Sequence, residues 1–222
     1  MECANVGAPG TSTYLIGKPC ASHYSLFGRG TRGYVAYCIE QKRWVFLKDM
    51  WKDASPLVHF ELDVYKRLQG VNFIPTAIGG GILGGRTKVQ DFFPAPAPRA
   101  TRVHCRLVLK EVARPLEDYE NAQHLIAVVS AALTGEYQRS SALSNMSRIP
   151  DALLSAHWEA YDEKGVLHRD ISASNIMIDA KTGKGLLVDW DLSKYREELR
   201  GDTAQPGGRS VRGRASQRRM HD

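Results

Sequence analysis

The sequence lacks a long hydrophobic run, a cysteine pair at metal-binding spacing and a secretory signal. No run of about 18 or more apolar residues occurs, so we expect no membrane-spanning helix. Cys3, Cys20, Cys38 and Cys105 are far apart and form no C-x-x-C pair, which argues against structural zinc and against a disulfide framework. Residues 1–14 contain no basic patch followed by an apolar core. We therefore expect an intracellular protein.

The net charge of +6 suits an anionic ligand such as a nucleotide, but it is unevenly distributed. Five arginines against two aspartates in residues 201–222 supply half of it. No aromatic residue lies between these arginines, so we expect a solvated, disordered basic tail over 201–222 and no nucleic-acid binding. Residues 1–21 are small and polar, and we expect them to be disordered as well.

Residues 22–113 have the pattern of a small antiparallel sheet with one helix. The helix is expected to begin at Ser55-Pro56, as an N-cap followed by proline in the first turn, and to end at Gly70. A Gly- and Pro-rich flexible loop is expected over 79–102. The runs of aromatic and β-branched residues bounded by turn residues predict five strands, Tyr24–Phe27, Tyr34–Ile39, Trp44–Lys48, Phe73–Ile78 and Val103–Val112.

Residues 114–200 have a mixed pattern that predicts a second, mainly helical part. Two helices are expected, Asn121–Leu133 and Asp151–Lys164. Short strands are expected at Val166–Leu167, Ile176–Ile178 and Gly185–Asp189, each beside a candidate polar motif. The fold class is therefore α+β.

The first candidate motif is Gly28-Arg29-Gly30-Thr31-Arg32-Gly33-Tyr34-Val35. It fits the pattern G-x-G-x-x-G-x-V of protein kinases. Glycine has no Cβ, so its backbone N–H groups can approach phosphate oxygens closely. The motif alone is weak, because glycine-rich hairpin turns are common. A dinucleotide-binding motif fits less well, because these glycines lie between two strands and not before a helix.

The second candidate is Lys48 at the end of a strand, with Glu61 thirteen residues later on the predicted helix. A buried lysine that faces phosphates needs a carboxylate to hold it, and in kinases this helix supplies one. Either residue alone would more often be a solvated surface charge. Their order after the glycine-rich segment favours the ion pair.

The strongest candidate is His168-Arg169-Asp170-Ile171-Ser172-Ala173-Ser174-Asn175, which fits H-R-D-x-x-x-x-N without a gap. Asp170 is expected to accept the proton of an attacking hydroxyl, and Asn175 to hold a metal ion. Asp189 follows an apolar strand and matches the metal-binding position of Asp-Phe-Gly. Asp189 is expected to bind magnesium that bridges the phosphates.

Over residues 22–200 the chain resembles the fungal-type protein kinase family. The resemblance is carried by the glycine-rich segment, by Val45–Asp49, by Leu107–Leu116 and by Leu167–Ile176. It implies a two-lobed kinase fold, with 22–113 as the N-lobe and 114–200 as a partial C-lobe. It also implies ATP and magnesium as ligands and phosphorylation of Ser or Thr in a protein substrate, whose identity stays open. By this resemblance the nucleotide contacts fall on Gly28, Gly30, Gly33, Val35, Lys48 and Glu61, the base on Asp170, and the metal ligands on Asn175 and Asp189.

Three positions depart from the general kinase pattern. Phe46 replaces the small residue two before the lysine and shares its strand face, so it is expected to crowd the base. Ser172 replaces a lysine that contacts the transferred phosphate. Asp191 replaces the glycine of Asp-Phe-Gly and adds a possible metal ligand, a feature also found in small-molecule phosphotransferases of the aminoglycoside and choline kinase type.

The C-lobe is expected to be incomplete, because residues after Asp191 are few and of low complexity. Ser130–Pro150 is expected to be an atypical insertion that interrupts one helix, and we interpret it as translated non-coding sequence. We therefore expect weak or absent activity in the chain as it stands. A small-molecule kinase and a non-catalytic pseudokinase or scaffold remain as alternatives, although Arg169 favours a protein kinase over the former.

Overall fold

The computed structural model describes residues 2–4, 11–22, 30–55, 58–87, 101–134 and 155–202. The strands in these ranges are β1 (Glu2–Ala4), β2 (Thr11–Ile16), β3 (Ala21–Ser22), β4 (Arg32–Cys38), β5 (Arg43–Asp53), β6 (Ala77–Arg86), β7 (Arg102–Leu109), β8 (Ala113–Pro115), β9 (Val166–Leu167), β10 (Ile176–Asp179), β11 (Gly185–Leu187) and β12 (Lys194–Tyr195). The helices are α1 (Glu61–Arg67), α2 (Ala122–Thr134), α3 (Ser155–Asp162) and α4 (Arg196–Asp202). Single 3₁₀ turns lie at Leu116–Asp118, Ala173–Asn175 and Trp190–Leu192. None of the helices in the described ranges is long and apolar enough to cross a membrane.

The N-terminal half forms an antiparallel sheet with strand order β1-β2-β4-β5-β7-β6, and the short β3 also pairs with β4. The expectation of an antiparallel sheet accompanied by one helix is confirmed. Five of the strands, β2, β4, β5, β7 and β6, form a curled sheet that is consistent with the expected N-lobe, while β1 and β3 extend it. The strand that carries Lys48, β5, lies in the interior of this sheet between β4 and β7.

Side chains along β5 point alternately to the two faces of the sheet, and both faces are buried. Val45 and Leu47 point into one core cluster with Tyr14 and Tyr34. Met50 points to the opposite face, into a larger cluster that includes the residues of α1. Because side chains two apart on a strand share a face, Lys48 is directed to the side where α1 packs. Burial of each large aliphatic side chain contributes about 1.5–3 kcal/mol, so both clusters stabilise the position of β5.

The second half contains α2 and α3, which pack against each other, and two small antiparallel sheets. One sheet has the order β11-β10-β8, and the other consists of β12 and β9. Gly185 in β11 lies against the carbonyl oxygen of Val128 in α2. The backbone of the helix is therefore in close contact with the backbone of this small sheet. Strands β9 and β11 both end at segments that carry candidate site residues. The assignment of this half to an incomplete C-lobe stays a prediction.

The expected start of the helix at Ser55-Pro56 is wrong. Helix α1 begins at Glu61, with Phe60 as its N-cap and no capping side chain. Ser55 instead donates its backbone N–H to the Asp53 carboxylate at 2.8 Å, so it completes a turn at the end of β5. Pro56 lies outside the described residues.

The expectation of disorder over 1–21 is wrong for Thr11–Ile16, which pairs with β4. Tyr14 is only 1% exposed there, so this strand contributes to a core. Disorder of the tail is also wrong at its first two residues, which belong to α4. Residues 203–222 lie outside the described residues.

The expected flexible loop over 79–102 is wrong for 79–86, which is the greater part of β6. The strand expected at Phe73–Ile78 accordingly begins only at Ala77, and Phe73 has a φ of 58° in a turn.

Ser130–Thr134 continues α2, so the expected interruption of the helix at Ser130 is wrong. Tyr24–Phe27, 88–100 and 135–154 lie outside the described residues.

Candidate active site

Lys48 bridges two carboxylates at the inner wall of a cavity. Its Nζ lies 2.7 Å from Oε2 of Glu61 and 2.5 Å from Oδ1 of Asp189. The Lys48 side chain is 11% exposed and that of Glu61 is 2% exposed. Helix α1, strand β5 and the segment after β11 therefore meet at one ammonium group, as the order of the motifs in the sequence predicts.

The charges in this cluster are unbalanced, because one ammonium faces two carboxylates. Burial alone would lower the pKa of Lys48, but Glu61 and Asp189 raise it above its usual range. Lys48 is therefore charged. Burial raises the pKa of Glu61, and the nearby Asp189 carboxylate adds to that effect, while Lys48 opposes it. A cluster with this excess of negative charge can accept a further cation.

The loop after β9 places Asp170 by way of His168. His168 is fully buried, and its Nδ1 accepts the backbone N–H of Asp170 at 3.2 Å. Its Nε2 therefore carries the proton and donates to the carbonyl oxygen of Val188 at 3.0 Å. Burial lowers the pKa of His168, so the ring is neutral near pH 7. This histidine links the loop of Asp170 to the residue just before Asp189.

Asn175 joins the same two segments by a second route. Its Nδ2 donates to the backbone oxygen of Asp170 at 2.8 Å and to Oδ2 of the same residue at 3.2 Å. The carbonyl oxygen of Asn175 accepts the N–H of Val188 at 2.9 Å. The amide side chain thus orients the Asp170 carboxylate while the backbone holds the segment of Asp189.

Asp189 follows β11 in a left-handed backbone conformation, with a φ of 64°. The next residue, Trp190, is fully buried and donates its Nε1–H to the carbonyl oxygen of Leu187 at 3.0 Å. Its ring lies 4.5 Å from the His168 ring in an edge-to-face arrangement. The tight turn directs the Asp189 carboxylate towards Lys48 while Trp190 anchors the segment in the core.

A cavity of about 510 Å³ lies between the sheet and the second half of the chain. Six of the predicted site residues line it, namely Gly30, Gly33, Lys48, Glu61, Asn175 and Asp189. Asp170 does not line the cavity, but its carboxylate accepts a hydrogen bond from Asn175, which does. Val35 pairs with Phe46 across β4 and β5 but is 38% exposed and outside the lining. Its contact with a nucleotide stays a prediction, and Gly28 lies outside the described residues.

Phe46 lines the cavity and reaches under the glycine-rich segment. A Cβ added to Gly33 would lie 2.6 Å from Cζ of Phe46, closer than any normal contact. Glycine at position 33 therefore leaves room for the Phe46 ring. Phe46 lies at the cavity on the same strand face as Lys48, and its crowding of a nucleotide base stays a prediction.

Sequence reasoning did not select several residues that line the cavity, among them Tyr65, Leu109, Glu111 and Met177. Tyr65 lies one turn after Glu61 on α1, and its spacing indicated only an apolar helix face. Its hydroxyl is buried, and this burial raises its pKa well above its usual range. Met177 lies in β10, which follows directly after Asn175.

The donor set fits a hard cation bound together with phosphates. Asn175 and Asp189 present an amide and a carboxylate oxygen, the ligand types that Mg²⁺ accepts when phosphates complete its coordination. In the described part of the chain, no group of three or more His, Cys, Asp and Glu side chains is arranged to hold a metal.

Similarity to known proteins identifies the family of this chain. The model of the family described as fungal protein kinase matches residues 65–211, which is more than half of the chain. The chain is also similar to the probable cell division control protein 7 homologs 1 and 2 of Encephalitozoon cuniculi (strain GB-M1). Each is 30% identical over 74 residues, or 33% of this chain and 21% of the relative, so the chain spans about a fifth of their length. By the family match, this chain belongs to the fungal protein kinase family.

Proposed function

We propose that this chain binds ATP with Mg²⁺ in the 510 Å³ cavity and transfers the γ-phosphoryl group to a Ser or Thr hydroxyl of a protein substrate. The observation that carries the proposal is the position of Lys48 between Glu61 and Asp189, with Asn175 connecting that wall to Asp170. Membership of a protein kinase family supports the reaction class.

The proposal assigns Lys48 to the phosphates of the nucleotide. Phosphate oxygens would take over part of the interaction that Asp189 makes with Lys48, which would free Asp189 for a metal ion. Glu61 is fully enclosed and would hold the ammonium in place during this exchange. Mg²⁺ would neutralise charge that develops on the phosphates.

Asp170 is proposed to act as the base. The substrate hydroxyl oxygen forms a bond to the γ-phosphorus, the bond from that phosphorus to the bridging oxygen breaks, and ADP leaves. The hydroxyl proton passes to the Asp170 carboxylate. Asn175 already donates to Oδ2 of Asp170, so it would fix the direction of the carboxylate before substrate binds.

A protein substrate is favoured over a small molecule by Arg169, which follows His168 as in protein kinases. Arg169 is exposed and forms no ion pair with another described residue, so it is accessible to a charged partner. Cys20, Cys38 and Cys105 are free thiols, and the intracellular location stays a proposal.

Two measurements test the proposal on the whole chain. Mg·ATP is expected to raise the melting temperature of the wild type but not of Asp189→Asn, which keeps the size of the side chain. Labelled phosphate from ATP is expected to appear on a Ser/Thr protein substrate, and Asp170→Asn is expected to slow this transfer about 100-fold or more while nucleotide still binds. Asp63→Asn, at an exposed position on α1, serves as the control. Unchanged transfer by Asp170→Asn would exclude Asp170 as the base.

A second candidate, a nucleotide-binding scaffold that transfers no phosphate, is favoured by two features of the cavity. Phe46 occupies part of it, and Ser172 and Ser174 form a hydroxyl pair 2.9 Å apart where a kinase usually presents a lysine. Thermal stabilisation by Mg·ATP without any transfer, including autophosphorylation, would support this function over catalysis.

A further inference from the structure

The ring of Tyr195 contacts both ends of helix α1. The His59 ring stacks on it, with centroids 3.9 Å apart and planes inclined by 28°. The Arg67 guanidinium also lies 4.4 Å from the centre of the same ring. His59 lies two residues before α1 and Arg67 is its last residue, so one aromatic side chain contacts residues near both ends of the helix that carries Glu61.

Acidic side chains of α4 fix both partners of this ring. Oε2 of Glu198 lies 2.8 Å from Nε2 of His59 and also accepts the N–H of Tyr195 at 2.7 Å. Glu197 accepts a hydrogen bond from Arg67 at 2.7 Å. The His59 and Arg67 side chains are therefore held against Tyr195 by hydrogen bonds to α4 as well as by their contacts with the ring.

The backbone of Tyr195 belongs to the element that leads into the loop of Asp170. Tyr195 pairs with Val166 and Lys194 pairs with Leu167 in the two-stranded sheet of β12 and β9. Leu167 immediately precedes His168, which holds the N–H of Asp170. Tyr195 therefore connects α1 through its side chain to the Asp170 loop through its backbone.

Helix α1 depends on such contacts, because it has seven residues and no capping side chain. A helix of this length is not stable by itself in water. Its inner face packs in the core through Leu62 and Tyr65. The contacts of His59 and Arg67 with Tyr195 add to this packing near both ends of the helix.

We propose that Tyr195 is a positioning residue that, together with Glu198, holds α1 where Glu61 reaches Lys48. The carboxylate of Glu198 supplies the negative charge that His59 contacts. The consequence for nucleotide binding rests on the proposed function, whereas the effect on α1 does not.

The first measurement is hydrogen exchange on the ligand-free chain, shown by mass spectrometry to carry no phosphate. In Tyr195→Leu, the amides of residues 62–67 are expected to exchange roughly tenfold faster, because both ring contacts are lost. In Tyr195→Phe, which retains stacking and the cation contact, exchange is expected to match the wild type. Glu198→Gln is expected to change exchange in the same direction as Tyr195→Leu but less. The amides of 34–38 in β4 serve as the internal control.

The second measurement is the dissociation constant of Mg·ATP for the same variants. It is expected to rise several-fold in Tyr195→Leu and to be restored in Tyr195→Phe. The proposal is overturned if exchange in α1 is unchanged in Tyr195→Leu, or if β4 loosens equally. It is also overturned if α1 loosens while affinity for Mg·ATP stays the same. If the wild type binds no nucleotide, the proposed function fails, and the exchange data still decide whether Tyr195 holds α1.

Discussion

Lys48 and Glu61 form an ion pair of 2.7 Å in which the carboxylate has almost no contact with solvent. A charge in such a place is tolerated only while its partner is present, because the desolvation cost is not otherwise offset. Asp189 shares the same ammonium at 2.5 Å, so loss of Lys48 would leave two carboxylates facing each other.

We therefore predict that Lys48→Met lowers the free energy of unfolding by about 3–5 kcal/mol near pH 7. The double variant Lys48→Met/Glu61→Gln is expected to lose less, because no unpaired charge is left at position 61. Urea unfolding of both proteins measures the difference. Lys66→Met is the control, since Lys66 pairs with Asp63 at the exposed outer side of α1. Equal losses in the single and double variants would show that the unpaired charge is not the cause.

A second prediction concerns pH. The pKa of His168 is lowered by burial from the ordinary value of 6.5, so the unfolded chain binds a proton on this residue at a higher pH than the folded chain. The neutral ring therefore contributes stability above pH 6.5 that is lost as pH falls towards the pKa in the folded state. The stability advantage of the wild type over His168→Asn is expected to shrink over this interval, by at most about 1.4 kcal/mol per pH unit.

Comparing the two proteins cancels groups that both share, including His157, whose pKa burial also lowers, and Glu61, whose pKa is raised. Unfolding curves between pH 7.5 and 5 give the comparison, and an NMR titration of the His168 ring gives its pKa directly. A His168 pKa above 6.5 would contradict the prediction.

The third prediction tests the contact between Gly33 and Phe46. Gly33→Ala places a methyl group 2.6 Å from Cζ of Phe46, so the ring is expected to move into the cavity. Affinity for Mg·ATP is expected to fall about tenfold while stability changes little, because the far end of the ring can give way. In the Phe46→Ala background the same substitution is expected to have no effect on affinity. An equal loss of affinity in both backgrounds would mean that Gly33 acts through its backbone alone.

A fourth prediction concerns packing of α2 on β11. A Cβ at Gly185 would lie 1.9 Å from the carbonyl oxygen of Val128, and neither backbone can move independently of its element. Gly185→Ala is expected to lower the free energy of unfolding by about 3 kcal/mol or more. Gly81→Ala is the matched control, because no atom lies within 4 Å of the added Cβ, and a change of at most about 0.5 kcal/mol is expected. Similar melting temperatures for the two variants would show that the backbones are further apart than described.

The residues from His168 to Asn175 could be selected from sequence because their geometry is local. The hydrogen bonds from the Asn175 amide to Asp170 span only five residues, so the spacing itself encodes them. Lys48 and Glu61 could be paired because their strand and helix follow one another. Lys48 and Asp189 are 141 residues apart in the chain. Their contact could be predicted only because the motifs follow the order that is known from kinases.

What sequence did not reveal depends on partners that lie far apart in the chain. Strand β2 was missed because its polar, glycine-flanked segment has little strand character, and only pairing with β4 buries Tyr14. The glycines of β6 indicated a loop, yet a Cβ at Gly80 would lie 2.5 Å from the carbonyl oxygen of Arg106, so the neighbouring strand requires glycine there. Tyr195 carries no local signal at all, since its role follows from two residues at opposite ends of another element.

The left-handed backbone at Asp189 limits which amino acids can occupy this position over evolutionary time. Aspartate, asparagine and glycine adopt a φ of 64° at low cost, whereas a β-branched residue does not. A lineage that had stopped transferring phosphate would still be under pressure to keep aspartate or a close substitute, because the turn that seats Trp190 needs it. Retention of this aspartate in related chains therefore does not by itself distinguish working enzymes from descendants that have lost catalysis.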